Sequence, residues 1–141
     1  MVMKMVNKNI KIIVSDLMLK LNQFPITNEQ TILKEALDLM DQSKLGVVCV
    51  IDESQNLNGI ITDGVLRRKL LSIQKPFSAL LIDNVIDHAN KNPKTISEDT
   101  DIKDAIIFME SNQIWDLPVV DERKKLVGLL HLHNAIKYFL K

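Results

Sequence analysis

Two short stretches carry residue types suited to holding a charged ligand: Thr62-Asp63-Gly64-Val65 and His131-Leu132-His133-Asn134. Each follows an apolar run, Gly59-Ile60-Ile61 in one case and Gly128-Leu129-Leu130 in the other. Each also opens a segment with helical spacing. A helix that starts straight after a strand presents unsatisfied N–H groups at the positive end of its dipole, which suits an anion or a phosphate. Thr62 can cap that end, or cap it and also meet a ligand. With the N–H groups of Asp63 and Gly64 it would form an anion subsite, and Gly64 would let a ligand come close to the backbone. Asp63 suits the dipole but repels phosphate, and nothing in its motif makes it a catalytic acid. Arg67 and Arg68, one turn on, can neutralise a phosphate or simply form a solvated helix face.

His131 and His133 invite a metal reading. Two histidines at i, i+2 share a face only on extended backbone, and no third His or Cys ligand lies nearby, so a polar cleft lining is the better reading. Trp115 is the only tryptophan. Its ring can stack on a base, pack at a dimer interface or pack at the rim of the preceding helix. His88 is expected at the surface. No nucleophile–base–acid set, P-loop or dinucleotide glycine fingerprint is present, and four glycines leave little for a phosphate cradle. The pattern points to binding rather than catalysis.

The two stretches are alike because the chain repeats itself. Residues 31–66 fall on 100–135 without a gap when shifted by 69 positions: Thr31 meets Thr100, Met40 meets Met109, Asp52 meets Asp121 and Gly59 meets Gly128. A duplicated unit exposes the same apolar face twice, so the copies are expected to pack about a pseudo-twofold axis. Apolar positions 32, 33, 36, 37 and 40 predict a helix capped by Thr31. Val47–Ile51 is a continuous apolar, largely β-branched run and predicts a buried strand. A polar turn, a second strand at 57–61 and a helix from Thr62 follow. The order β-α-β-β-α returns after a linker, with strands at 94–96, 117–120 and 126–130 and helices at 101–112 and 131–140. Residues 1–12 are a lead-in, and Ser15 caps a short helix. The fold class expected is α/β (α+β), one module over 1–141 with repeats at 13–71 and 83–139.

Composition narrows the function further. Apolar residues make up 46%, and 18 basic residues balance 18 acidic ones. A general nucleic-acid binder usually carries a basic excess. No apolar run approaches the roughly 18 residues of a membrane span, and no uninterrupted apolar core marks a signal peptide. Cys49, the one cysteine, sits in an apolar run and reads as a buried thiol of a reducing compartment, with the cytoplasm as the default.

The β-α-β-β-α repeat, Leu117-Pro118-Val119-Val120-Asp121 and Gly59-Ile60-Ile61-Thr62 together resemble a tandem pair of cystathionine-β-synthase (CBS) domains, a regulatory module. Gly59 to Arg68 is also similar to the Thr-Asp-Gly-Asp-Leu-Arg-Arg signature in the C-terminal CBS pair of arabinose-5-phosphate isomerases. Asn92-Pro93-Lys94-Thr95-Ile96 and Val127 to His133 are similar to that subfamily too. The resemblance implies a non-catalytic pair that senses an adenine nucleotide or a nucleotide-sugar, with no metal or other cofactor. It also implies a homodimer and a link to sugar-phosphate isomerisation for surface polysaccharide synthesis, with a sugar isomerase domain as partner. The alternative is a dimerisation module without a ligand. In nucleotide-binding relatives a Thr or Ser at the positions of Thr62 and His131 meets phosphate, and an Asp three residues on holds the ribose. Here those two positions are Val65 and Asn134, so simple adenosine nucleotides are expected to bind weakly and Val65→Asp to strengthen them; the alternative is that Val65 points into the core, where Asp only destabilises.

Overall fold

The computed structural model describes residues 11–140. Most of the expected lead-in, 1–10, lies outside the described residues. The element order is α1 (Val14–Leu17), β1 (Ile26–Asn28), α2 (Leu33–Ser43), β2 (Val47–Ile51), β3 (Leu57–Thr62), α3 (Asp63–Ser72), α4 (Phe77–Leu81), α5 (Val85–His88), β4 (Ile96–Ser97), α6 (Ile102–Ser111), β5 (Asp116–Val120), β6 (Leu126–His131) and α7 (Leu132–Phe139). The fold is mixed α+β with two three-stranded sheets, ordered β1-β2-β3 and β4-β5-β6. In each the middle strand pairs parallel with the short strand and antiparallel with the following one. No helix among the described residues is long and apolar enough to cross a membrane.

Local chemistry explains the elements. β2 is the central strand of its sheet, and Val47, Val48, Cys49 and Val50 are fully buried, as an unbroken apolar run requires. The β2–β3 turn is tied by Asp52, whose Oδ1 accepts from the N–H groups of Ser54 and Asn56. Asp121 accepts from Arg123 and Lys125 in the matching turn. Both turns place a non-glycine residue in the left-handed region, Gln55 in one and Lys124 in the other. The same holds after the long helices, at Lys44 and Gln113. Thr31 does not cap α2. The helix begins two residues later behind Ile32, and the Thr31 hydroxyl bonds Asn28 instead. Nor does Ser15 cap α1, where Asp16 turns back to accept from the Ile13 N–H.

Contacts divide the chain into two compact units that do not follow chain order. Asn22–Pro93 forms one; the residues up to Leu21 with those from Lys94 onward form the other. The reason is a reciprocal set of backbone bonds. Val14 N–H donates to Thr100, and Ile102 N–H donates to Ile12. Leu19 and Leu129 exchange both their bonds, at 2.7 and 3.0 Å. In the 22–93 unit the linker does the same. Val85 donates to Thr31, Leu33 donates to Asp83, and Asn90 and Ile60 exchange bonds at 2.8 and 3.0 Å. So the segment ahead of the first repeat completes the second, and the linker completes the first. Each unit has its own core. One contains Leu33, Ala36, Met40, Val48, Val50, Ile61, Val65 and Val85. The other contains Val14, Ile102, Ala105, Met109, Leu117, Val119, Leu130 and Ala135.

His88 is buried, at 6% exposure, rather than at the surface. It follows Val85 by one helical turn, so it points to the same interior face of α5. Its Nε2 meets Asp83 Oδ2 at 2.8 Å, and the Lys75 ammonium meets the same oxygen at 2.6 Å. The Lys75 hydrogen bond and then the His88 one hold the Asp83 carboxyl below its ordinary value of 3.8. Asp52 is lowered likewise, first by the Asn56 side chain and then by the Asn56 N–H. A depressed carboxylate stabilises the fold above its ordinary value and loses that contribution as pH falls through the folded value. Urea midpoints are therefore expected to drop below about pH 4, with a smaller drop in Asp83→Asn.

Candidate functional site

The residues singled out by sequence fall at two strand-to-helix junctions, one in each unit. At the β3–α3 junction Thr62 is the N-cap, and its Oγ1 accepts from the Val65 N–H at 3.1 Å. The Asp63 N–H donates to the Gly46 carbonyl at 3.3 Å. Of the two N–H groups expected to be free, those of Asp63 and Gly64, only that of Gly64 stays uncommitted among the described residues. The Asp63 carboxylate lies over Gly46, where an added Cβ would stand 2.7 Å from Oδ2. Arg68 folds back over Gly64, with a guanidinium nitrogen 3.2 Å from where a Cβ would be. Asp63, Arg67 and Arg68 are exposed and Thr62 and Gly64 are half-buried.

Val65 departs from expectation. It is 7% exposed and packs in the core of its unit. The α3 turn that starts at Thr62 points position 65 inward, so Val65 offers no surface to a ribose. Its apolar side chain belongs to the fold.

The β6–α7 junction is built differently on the same frame. His131 is the N-cap but its side chain makes no cap bond. Its Nδ1 instead meets Asp116 Oδ1 at 2.7 Å, across the strand pair in which the two residues stand opposite each other. Asp116 is 8% exposed. The Leu132 N–H donates to the Trp115 carbonyl at 2.9 Å, the counterpart of the Asp63–Gly46 bond. Trp115 thus stands where the other repeat has Gly46. It is 72% exposed, which leaves rim packing on α6 unrealised. His133 is exposed, with its ring 6.2 Å from that of His131 and tilted to it. Asn134 is half-buried. Among the described residues no group of three or more His, Cys, Asp or Glu side chains could hold a metal ion.

Asp116 is the residue that sequence reasoning missed. The signal was available: the 69-residue shift lays Asp116 on Val47, so a carboxylate replaces an apolar residue in a buried strand. Burying it calls for a partner, and the ladder places His131 opposite.

The CBS domain model matches residues 14–72 and 85–141. The chain belongs to the CBS domain family. As a CBS pair it is similar to CBSX2, seen in a crystal structure in complex with AMP, at 27% identity and a TM-score of 0.79. The match covers 91% of this chain and 96% of that one. An uncharacterized protein of Chlamydia trachomatis is 37% identical over 123 residues, 85% of this chain and 37% of the relative. The arabinose 5-phosphate isomerase KdsD of Francisella tularensis is 32% identical over 128 residues, 91% of this chain and 38% of the relative. The CBS pair therefore spans well under half the length of these two relatives.

Proposed function

We propose that this CBS pair is a non-catalytic regulatory module that senses a small adenine nucleotide or nucleotide-sugar. The observation that carries the reading is the pair of equivalent junctions, each putting a polar side chain at the start of a helix in a fold shared with an AMP-bound relative. Ligand binding acts by favouring one arrangement of the module over another, which an attached or associated domain can read. The similarity to the arabinose 5-phosphate isomerase KdsD supports a role beside sugar-phosphate isomerisation; we place that role in surface polysaccharide synthesis, in the cytoplasm and as a homodimer. Ile107, 58% exposed on α6, supports the dimer by leaving an apolar side chain to cover.

Thermal shift and calorimetry with AMP, ATP and nucleotide-sugars test the reading, because a ligand of the folded state raises stability by RT ln(1 + [L]/Kd). Thr62→Ala is expected to cost about 1 kcal/mol as a lost cap. It should also weaken a phosphate-bearing ligand beyond that loss. No shift with any of these ligands favours the second reading, an assembly module without a ligand. Val65 supports that second reading, since its burial leaves no ribose acceptor at position 65.

A further inference from the structure

We propose that Asp116 is a positioning residue that sets His131 to recognise an anionic group through Nε2–H, so that binding at the β6–α7 junction takes up a proton. The proposal rests on reading that junction as an effector site. A carboxylate buried to 8% exposure needs a donor, and an ionised carboxylate can only accept. With Asp116 ionised, the 2.7 Å contact is one in which His131 donates from Nδ1. That fixes the ring and leaves Nε2 without a hydrogen-bond partner among the described residues, on a side chain 24% exposed. In the neutral ring Nε2 is then a bare acceptor, which an anion rejects. In the imidazolium it is a donor, which an anion selects, while Nδ1–H stays on the carboxylate behind the ring.

Among the described residues the surroundings add few other charges. His133, exposed and 6.2 Å away, is the nearest titratable ring. On α7, Lys137 lies more than a turn further and is exposed. On α6, Lys103, Asp104 and Glu110 are exposed. On α1, Asp16 is committed to the Ile13 N–H. None of these pairs with His131, and β6 carries no other titratable side chain. The β3–α3 junction is an internal control, because Val47 stands in place of Asp116 and Thr62 in place of His131.

The test uses the full chain with sulfate as probe, an anion that does not itself titrate near neutrality. Imidazole nitrogen NMR is expected to show neutral His131 as the Nδ1–H tautomer and to show sulfate shifting Nε2. Sulfate affinity should fall from about pH 6 to about pH 8, and calorimetry in two buffers should register proton uptake. Asp116→Asn should lose about tenfold in sulfate affinity together with the uptake. His131→Gln, which keeps a neutral donor, should lose the uptake. An Nε2–H tautomer in the wild type, an unshifted Nε2, or an unchanged pH dependence in folded Asp116→Asn overturns the proposal. The wild-type readouts decide it even if Asp116→Asn does not fold. AMP binding with no response of His131 to sulfate overturns this proposal and leaves the effector reading standing. A sulfate response with no nucleotide or nucleotide-sugar binding does the reverse.

Discussion

Val65→Asp is expected to unfold the 22–93 unit rather than to improve nucleotide binding. Val65 packs with Leu33, Ala36, Ile61 and Val85, and its own N–H is committed to Thr62. A carboxylate there has no partner among these apolar neighbours. It must be buried charged, be buried protonated, or pull α3 out of place. The cost should reach about 4 kcal/mol or more, in the range reserved for buried unpaired polar groups. That is a large share of the roughly 5–15 kcal/mol that holds a domain together. Loss of cooperative urea unfolding from the 22–93 unit is the readout. Val65→Thr, which keeps the shape and buries one hydroxyl, should cost less and gain no affinity. A folded Val65→Asp protein with tighter AMP binding would show that position 65 faces the ligand after all.

The second large effect is expected at Gly128. A Cβ there would run into Met18 Sδ and lie 2.8 Å from the Leu19 carbonyl oxygen. A backbone oxygen cannot swing aside as a side chain can. Gly128→Ala should therefore push residues 18–19 off β6 and break both Leu19–Leu129 bonds. Overpacking of this kind costs about 1–3 kcal/mol, and two net hydrogen bonds add about 2 kcal/mol. Hydrogen exchange should report faster loss at the Leu19 and Leu129 amides before the rest of that unit. Gly59→Ala is the milder counterpart, because its nearest contact is the Ala89 methyl at 2.9 Å, with the Asn90 oxygen at 3.2 Å. Equal effects at the two glycines would mean that the 12–21 segment contributes no more than the linker.

Much of this arrangement is legible in the sequence, for identifiable reasons. β2 and β5 show themselves as apolar runs bounded by polar turns, and the 69-residue shift confirms each element by its copy. Thr62 as a cap follows from its place between a strand and a helix. Other features needed three dimensions. Lys44, Gln55, Gln113 and Lys124 adopt positive φ although their side chains give no hint of it; the turn geometry imposes it in both repeats. The Asp116–His131 bond depends on the strand register, which joins residues fifteen apart. His88 looked like a surface residue because a four-residue helix is too short to show periodicity. Val65 shows the opposite error. Its apolar type pointed to the core, and the resemblance drew it into a ligand slot.

The exchange of leading segments has a consequence for biosynthesis. Residues 22–93 form one compact unit from a single continuous stretch of chain, so that unit can form as soon as it has left the ribosome. Residues 12–21 emerge earlier yet find their partners only in the last third of the chain, where Thr100 and Leu129 wait for Val14 and Leu19. Closing that long loop adds a modest entropic cost, since the cost grows only with the logarithm of loop length. The exposure during the wait is the greater burden. Val14, fully buried in the folded unit, stays uncovered until the residues from Thr100 onward have emerged. The 22–93 unit should therefore acquire protection first in a pulse-labelled nascent chain, and the unit made from the two ends last.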